Sequence, residues 1–163
     1  MFPKMRRSRQ QISKESCIAI LLQQSTGVLA LYGENGYPYA LPLNFVYDND
    51  NLYFHCAKEG YKLEAMQHCE NASFCVIDED QVIPAKLTTA YRSVIVFGKL
   101  SKVENATEKE GAMAKLCKKY DPQEEANFDQ EMKKYASSLC VIKLKIEHYS
   151  GKKGLCFLER KEE

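Results

Sequence analysis

Three short stretches of the sequence carry the residue types that could do chemistry. In Leu52-Tyr53-Phe54-His55-Cys56-Ala57-Lys58-Glu59-Gly60-Tyr61-Lys62 a strand ends, small residues follow, Gly60 turns the chain, and a helix opens with a lysine in its first turn. Unpaired N–H groups and the dipole at such a helix start favour an anion, and Lys62 adds a point charge beside them. A solvated lysine on an ordinary helix start fits the same residues. In Leu41-Pro42-Leu43-Asn44-Phe45-Val46-Tyr47 the proline cannot donate to a ladder. A strand broken there frees backbone groups for the polar edge of a flat heterocycle, and Asn44 could add its side-chain amide. The competing reading is an edge strand protected by Pro42. In Thr88-Thr89-Ala90-Tyr91-Arg92-Ser93-Val94 the guanidinium of Arg92 suits a phosphate, or equally a surface ion pair. His55 lies in an apolar strand, facing opposite to Phe54, and reads as a satisfied core histidine or as a ligand-binding group.

Other chemistries are excluded. No Gly-rich Walker or Rossmann pattern is present, which argues against a nucleoside triphosphate or a pyridine dinucleotide. Seven cysteines (17, 56, 69, 75, 117, 140, 156) include no CxxC pair, and the three histidines are not clustered with them. Reduced, mostly buried thiols are expected, with neither a metal site nor a disulfide framework. Lys plus Arg number 23 and Asp plus Glu 22, a net charge of +1 that excludes a polyanion-coating protein. The basic start, Met1 to Arg9, is followed by an apolar stretch too short for a signal sequence, and no run reaches the ~20 residues that cross a bilayer. A cytoplasmic protein that binds neither membrane nor nucleic acid is expected.

The elements that must position these residues follow from pattern. With 163 residues, 45% hydrophobic and 28% charged, the chain suits one domain with a sizeable core. Residues 1–12 read as a loose basic arm, 13–150 as the folded domain and 151–163 as a charged, frayed tail. Ser13 caps a helix with an apolar stripe at Ile18, Leu21 and Leu22. Asn35-Gly36 predicts a type I′ hairpin turn after the Val28–Tyr32 strand. Further strands are expected at 37–47, 52–56, 73–78, 91–103 and 139–148. Helices are expected at 61–69 and 108–120, with another from Asp121. Six strands at hairpin spacing, with few helices and no βαβ alternation, predict a mainly β, six-stranded antiparallel barrel with peripheral helices.

Taken in order, these segments resemble the FMN-binding split-barrel superfamily of pyridoxamine 5′-phosphate oxidase-like proteins, and within it the nitroimidazole-resistance branch. The resemblance covers roughly residues 5–150. It rests on Met5-Arg6-Arg7 with Ser13, Gly27-Val28-Leu29-Ala30, Gly36-Tyr37-Pro38-Tyr39 and Pro42 to Tyr47. It continues through Tyr53 to Gly60, Ser73-Phe74-Cys75-Val76, and Arg92-Ser93-Val94 with Gly98-Lys99. The resemblance implies a homodimer with flavin, FMN or else FAD, at the subunit interface, acting as a reductase of planar nitro compounds. It implies a wall for the isoalloxazine made by Pro42, Leu43, Asn44 and Phe45, with His55, Cys56 and Ala57 lining the same pocket. Lys62 would hold the phosphate, and Arg92 and Ser93 would come from the other subunit. His55 is then the residue able to deliver a proton near neutral pH. Tyr61 departs from the histidine that many relatives carry before the lysine. Two alternatives stay open: a flavin-binding module without turnover, and haem binding, as in relatives of this fold, for which His55 or His148 would be the axial ligand.

Overall fold

The computed structural model describes residues 2, 4–120 and 139–156. Ser13 opens α1 (Lys14–Gln23), its hydroxyl accepting the Ser16 N–H at 3.2 Å, as an N-cap does. Strands β1 (Thr26–Tyr32), β2 (Pro38–Asn44), β3 (Val46–Asp48) and β4 (Asn51–Ala57) follow. After α2 (Tyr61–His68) come the long strands β5 (Asn71–Ile83) and β6 (Thr88–Lys102), then α3 (Ala106–Tyr120) and β7 (Leu139–Lys153).

The seven strands form one antiparallel sheet in the order β2-β1-β5-β6-β7-β4-β3. β2 and β3 are thus its two edges, yet only Phe45 separates them along the chain. Edges joined by a single residue must meet there, so the sheet is rolled into a barrel. No ladder joins β2 to β3 or β4, so the barrel is split along that seam. The split barrel is the expected fold, with seven strands where six were expected, because the 37–47 arm is cut at Phe45. The cause is local. The Phe45 ring is fully buried, edge-on to Phe74 with centroids 4.9 Å apart, and its N–H donates to the Tyr120 hydroxyl at 2.9 Å instead of to a strand.

Alternation fills the barrel. Leu29, Phe54, Phe74, Val96 and Leu144 are among the inward side chains, and Cys17, Ile20 and Leu21 of α1 join the same core. On the outer face, Ala112 and Leu116 of α3 pack with Val46, Tyr53 and Val141. Glu108 pins that helix: its Oε1 accepts from the Tyr53 hydroxyl at 2.9 Å and from Lys143 Nζ at 2.7 Å. At the other end of α3, Lys119 Nζ donates to the α1 carbonyls of Leu21 (3.3 Å) and Gln24 (2.6 Å) and to Phe45 O (3.1 Å). A cation suits that helix C-terminus, although burial pulls the lysine's pKa down to about 8.

Several local expectations are corrected. The type I′ turn is found at Asn49-Asp50, where both φ are positive (47° and 60°), not at Asn35-Gly36. There the loop is one residue longer: Gly36 N–H returns to Gly33 O, and only Gly36 has positive φ. Residues 151–153, expected in the frayed tail, continue β7 and pair with β6 as far as Lys153 opposite Arg92. Gly151 permits this, because a Cβ there would lie 2.3 Å from Cys17 Sγ and 2.4 Å from Ile12 Cγ1. The arm expected to be loose is tied down by the same glycine. Ile12 N–H donates to Gly151 O at 3.1 Å, and Phe2 stacks on His148 with centroids 4.6 Å apart. The helix expected from Asp121 and residues 157–163 lie outside the described residues. Beyond the barrel ladders, Gln81–Ile83 and Thr88–Ala90 pair only with each other, and Leu87 at the tip is 96% exposed in a left-handed conformation. Among the described residues, no helix is long and apolar enough to cross a membrane.

Lys143 first, then Tyr53, holds the Glu108 carboxyl below its ordinary 4.5. A lowered folded value stabilises the protein above the unfolded value and loses that contribution as pH falls. Glu108→Gln should therefore cost about 0.5–1 kcal/mol in urea unfolding at neutral pH. The difference from the wild-type protein should close as pH drops below 4.5. A difference that did not change with pH would refute the ion pair.

Candidate functional site

The seam between β2 and β4 collects backbone groups that the sheet does not use. Gly33 N–H donates to Tyr37 O at 3.1 Å, and hydrogen-bonded pairs alternate along an antiparallel ladder. Leu43, Leu41 and Tyr39 therefore exchange bonds with Gly27, Leu29 and Leu31 of β1. The N–H and C=O of Ala40 and Asn44, and the C=O of Pro42, point away from β1 into the seam. Pro38 and Pro42 fall at positions whose N–H the ladder does not need, which is why an edge strand accepts them.

The same counting works on the facing strand. Ile146 N–H donates to Asp50 O at 2.9 Å, so Leu52, Phe54 and Cys56 bond to β7, and His55 and Ala57 turn their N–H and C=O the other way. β3 covers β4 only over residues 51–53. The backbone of His55 and Ala57 thus faces the seam with no strand beside it.

One end of the seam is bridged by α2. Gly60, at φ 119°, turns the chain out of β4, and Leu63 N–H returns to Gly60 O at 2.8 Å. Tyr61 then reaches the β1–β2 hairpin. Its ring lies edge-on to Tyr39 at 5.0 Å, and its hydroxyl is seated on Gly33, where a Cβ would stand 2.1 Å away. Tyr61 is thereby fixed as a bolt between the two sides of the seam. Half-buried Lys62 sits in the first turn, where the leading N–H groups have no carbonyl within the helix.

The expected residues divide into those the fold brings together and those it does not. Pro42, Asn44, His55, Ala57 and Lys62 all border the seam. The Asn44 amide nitrogen is spent on Ser25 O (3.1 Å) and Thr26 Oγ1 (3.3 Å). Leu43 packs its side chain against the core. Phe45 is removed from the wall, since Tyr120 takes its N–H and Lys119 and Tyr120 bond its carbonyl. Cys56 points inward, on the opposite face from His55. The His55 imidazole is exposed, which overturns the core-histidine reading.

Arg92 and Ser93 lie on β6, at the centre of the strand order and away from both edges. The Arg92 Nε is ion-paired with Asp78, whose carboxylate is 5% exposed and accepts Gln24 Nε2 at 2.8 Å. A bulge between Ile77 and Glu79 turns Asp78 toward it, a signal no local pattern carries. Sequence reasoning also missed Lys102, at the end of β6, which together with Lys62 pulls the Cys56 pKa down. Among the described residues, no group of three His, Cys, Asp or Glu is placed to hold a metal.

Family comparison identifies the fold. The family model for pyridoxamine 5′-phosphate oxidase matches residues 13–153. The chain belongs to that family. No curated protein matches it. Among solved structures, a candidate 5-nitroimidazole antibiotic resistance protein of Bacteroides thetaiotaomicron is 24% identical over 87% of this chain and 85% of its own, with a TM-score of 0.71. A flavocytochrome of Azotobacter vinelandii is 20% identical over 93% of this chain and 72% of its own, at 0.80. An FAD and heme binding protein of Mycobacterium smegmatis is 23% identical over 89% and 73%, at 0.77. At these identities the likeness is one of fold.

The buried Tyr61 hydroxyl has no hydrogen-bond partner among the described residues. Removing an unpaired buried hydroxyl relieves its desolvation cost, so Tyr61→Phe should leave stability unchanged or raise it by about 1 kcal/mol. A loss of that size in urea unfolding would mean that the hydroxyl is bonded.

Proposed function

We propose that the chain binds a flavin, FMN in the first instance, in the seam between β2 and β4, and serves as a homodimeric oxidoreductase of planar nitroaromatic compounds such as 5-nitroimidazoles. The observation that carries this reading is the pair of unused backbone edges facing each other across a split that ends at Lys62. A flat heterocycle has its donors and acceptors in its plane, and the backbone of Ala40, Pro42, Asn44, His55 and Ala57 offers matching groups along both sides. Lys62 and the first N–H groups of α2 suit a phosphate. FAD would place a phosphate at the same point and extend its nucleotide outward.

The second subunit is part of the same reading. Arg92 and Ser93 would approach this seam from another copy, a placement supported by the position of β6 in the middle of its own sheet, away from both edges. Val28, Cys75 and Ile95 stand in one row across β1, β5 and β6, and Val28, Ile95 and nearby Ile77 are exposed. Such an apolar strip on a sheet face suits burial against an identical strip. A cytoplasmic setting agrees with the free cysteines.

When bound, the flavin supplies the redox chemistry. The chain's part is to hold the ring edge, neutralise the phosphate and deliver protons. His55, with its backbone toward the seam and its imidazole in solvent, is the proposed proton donor. A second reading is a flavin- or haem-binding protein, since the Azotobacter structure is of a flavocytochrome and the Mycobacterium one of an FAD and heme binding protein.

Purified protein should take up FMN and show a yellow flavin spectrum, whereas a Soret band would support haem. Lys62→Ala should weaken FMN binding about 10- to 100-fold, the worth of one charge-assisted bond. Its riboflavin affinity should stay unchanged. Equal losses for both ligands would remove Lys62 from the phosphate site. His55→Gln should slow nitroimidazole reduction, and unchanged turnover at every pH would end its role as proton donor.

A further inference from the structure

Cys56 and Cys140 stand directly opposite each other on β4 and β7, so their side chains leave the same face of the sheet. That face is the barrel interior, and both thiols pack half-buried against its core. The alternation set by the bond from Ile146 N–H to Asp50 O makes Cys56 and Cys140 a hydrogen-bonded pair. The Cα atoms of such a pair are about 5.5 Å apart. Disulfides bridge Cα separations of roughly 4.4–6.8 Å but draw the Cβ atoms to about 3.5–4.5 Å. That is nearer than the roughly 4.5–5.5 Å of opposite residues in a sheet, so closure pulls the two strands slightly together and leaves the bond easily reduced. Cys140 is near enough to raise the Cys56 pKa, while its own Sγ–H donates to Val141 O at 3.9 Å. By contrast Cys75, the other cysteine paired within the sheet, faces Val28 and Ile95.

We propose that Cys56 and Cys140 form a redox-active dithiol that a small disulfide, such as oxidised glutathione, converts to a cross-strand disulfide. The Cys56 thiolate attacks one sulfur of the small disulfide, breaking its S–S bond. This forms a mixed disulfide and releases one thiol, which takes up a proton. The Cys140 thiolate then attacks the Cys56 sulfur and expels the second thiol. The two protein thiols lose two electrons and two protons, and one small disulfide becomes two thiols.

The groups around Cys56 set the pace. Burial raises its pKa most strongly, to about 11, and Cys140 on β7 adds to that, while Lys62 of α2 and Lys102 of β6 pull it down. The thiolate is scarce at neutral pH, so closure should be slow there and speed up nearly tenfold per pH unit on the alkaline side. The bridge would staple β7 to the end of β4 from which α2 departs.

The test uses the whole chain, without added flavin, incubated with oxidised glutathione and then quenched by alkylation. Intact mass should show the loss of two hydrogens, peptide mapping should link Cys56 to Cys140, and dithiothreitol should reverse both. Cys140→Ser should instead hold one glutathione on Cys56. Stable glutathione adducts on the wild-type protein without the link, or a link between other cysteines, would overturn the proposal, and so would full alkylation of both thiols after prolonged alkaline incubation. The closure needs no flavin, so a protein that fails to bind FMN yet forms the bridge separates this inference from the flavin reading.

Discussion

The fold depends on what happens at a single residue. Phe45 joins the two edge strands, and its backbone is held by the end of α3 and not by a strand. Its buried ring contributes on the order of 1.5–3 kcal/mol. Lys119 lies over that ring, 4.1 Å from its centroid, and reaches the α1 C-terminus from the same place. If residue 45 could enter a ladder, β2 and β3 could continue as one strand and the barrel would close. Because it cannot, the seam remains, and with it two long backbone edges that face each other.

Much of this was legible in the sequence because the signals are local. Strand alternation, the Ser13 cap, the Gly60 turn and the prolines of β2 each follow from short-range chemistry, and they led to the right architecture. Pro42 was informative for a reason that counting residues does not supply. It marks a position whose N–H faces away from β1, so it labels the seam side of the strand. Of the residues expected at the site, Pro42, Asn44, His55 and Ala57 lie along the seam, each placed there by its backbone. Leu43 and Phe45 belong to the core, and Cys56 faces the opposite way from its neighbours.

What the sequence could not carry was long-range register. Cys56 and Cys140 are 84 positions apart (140 minus 56), and only the β4–β7 pairing brings them together. The bulge that turns Asp78 toward Arg92 and the joint pull of Lys62 and Lys102 on Cys56 are of the same kind. Each depends on which residue of one strand meets which residue of another. A one-residue slip would send every one of these side chains to the other face.

The ribbon made by Gln81–Ile83 and Thr88–Ala90 has a consequence for how firmness is distributed in the molecule. Two strands alone are marginal in water, and among the described residues no third strand pairs with these two segments. Its amides should open to solvent independently of the barrel, in a cooperative unit of their own. The inner strands β1, β5, β6, β7 and β4 differ in having a paired neighbour on both sides along their barrel portions. The molecule therefore joins a rigid cylinder to a soft finger whose order is set by whatever lies against it.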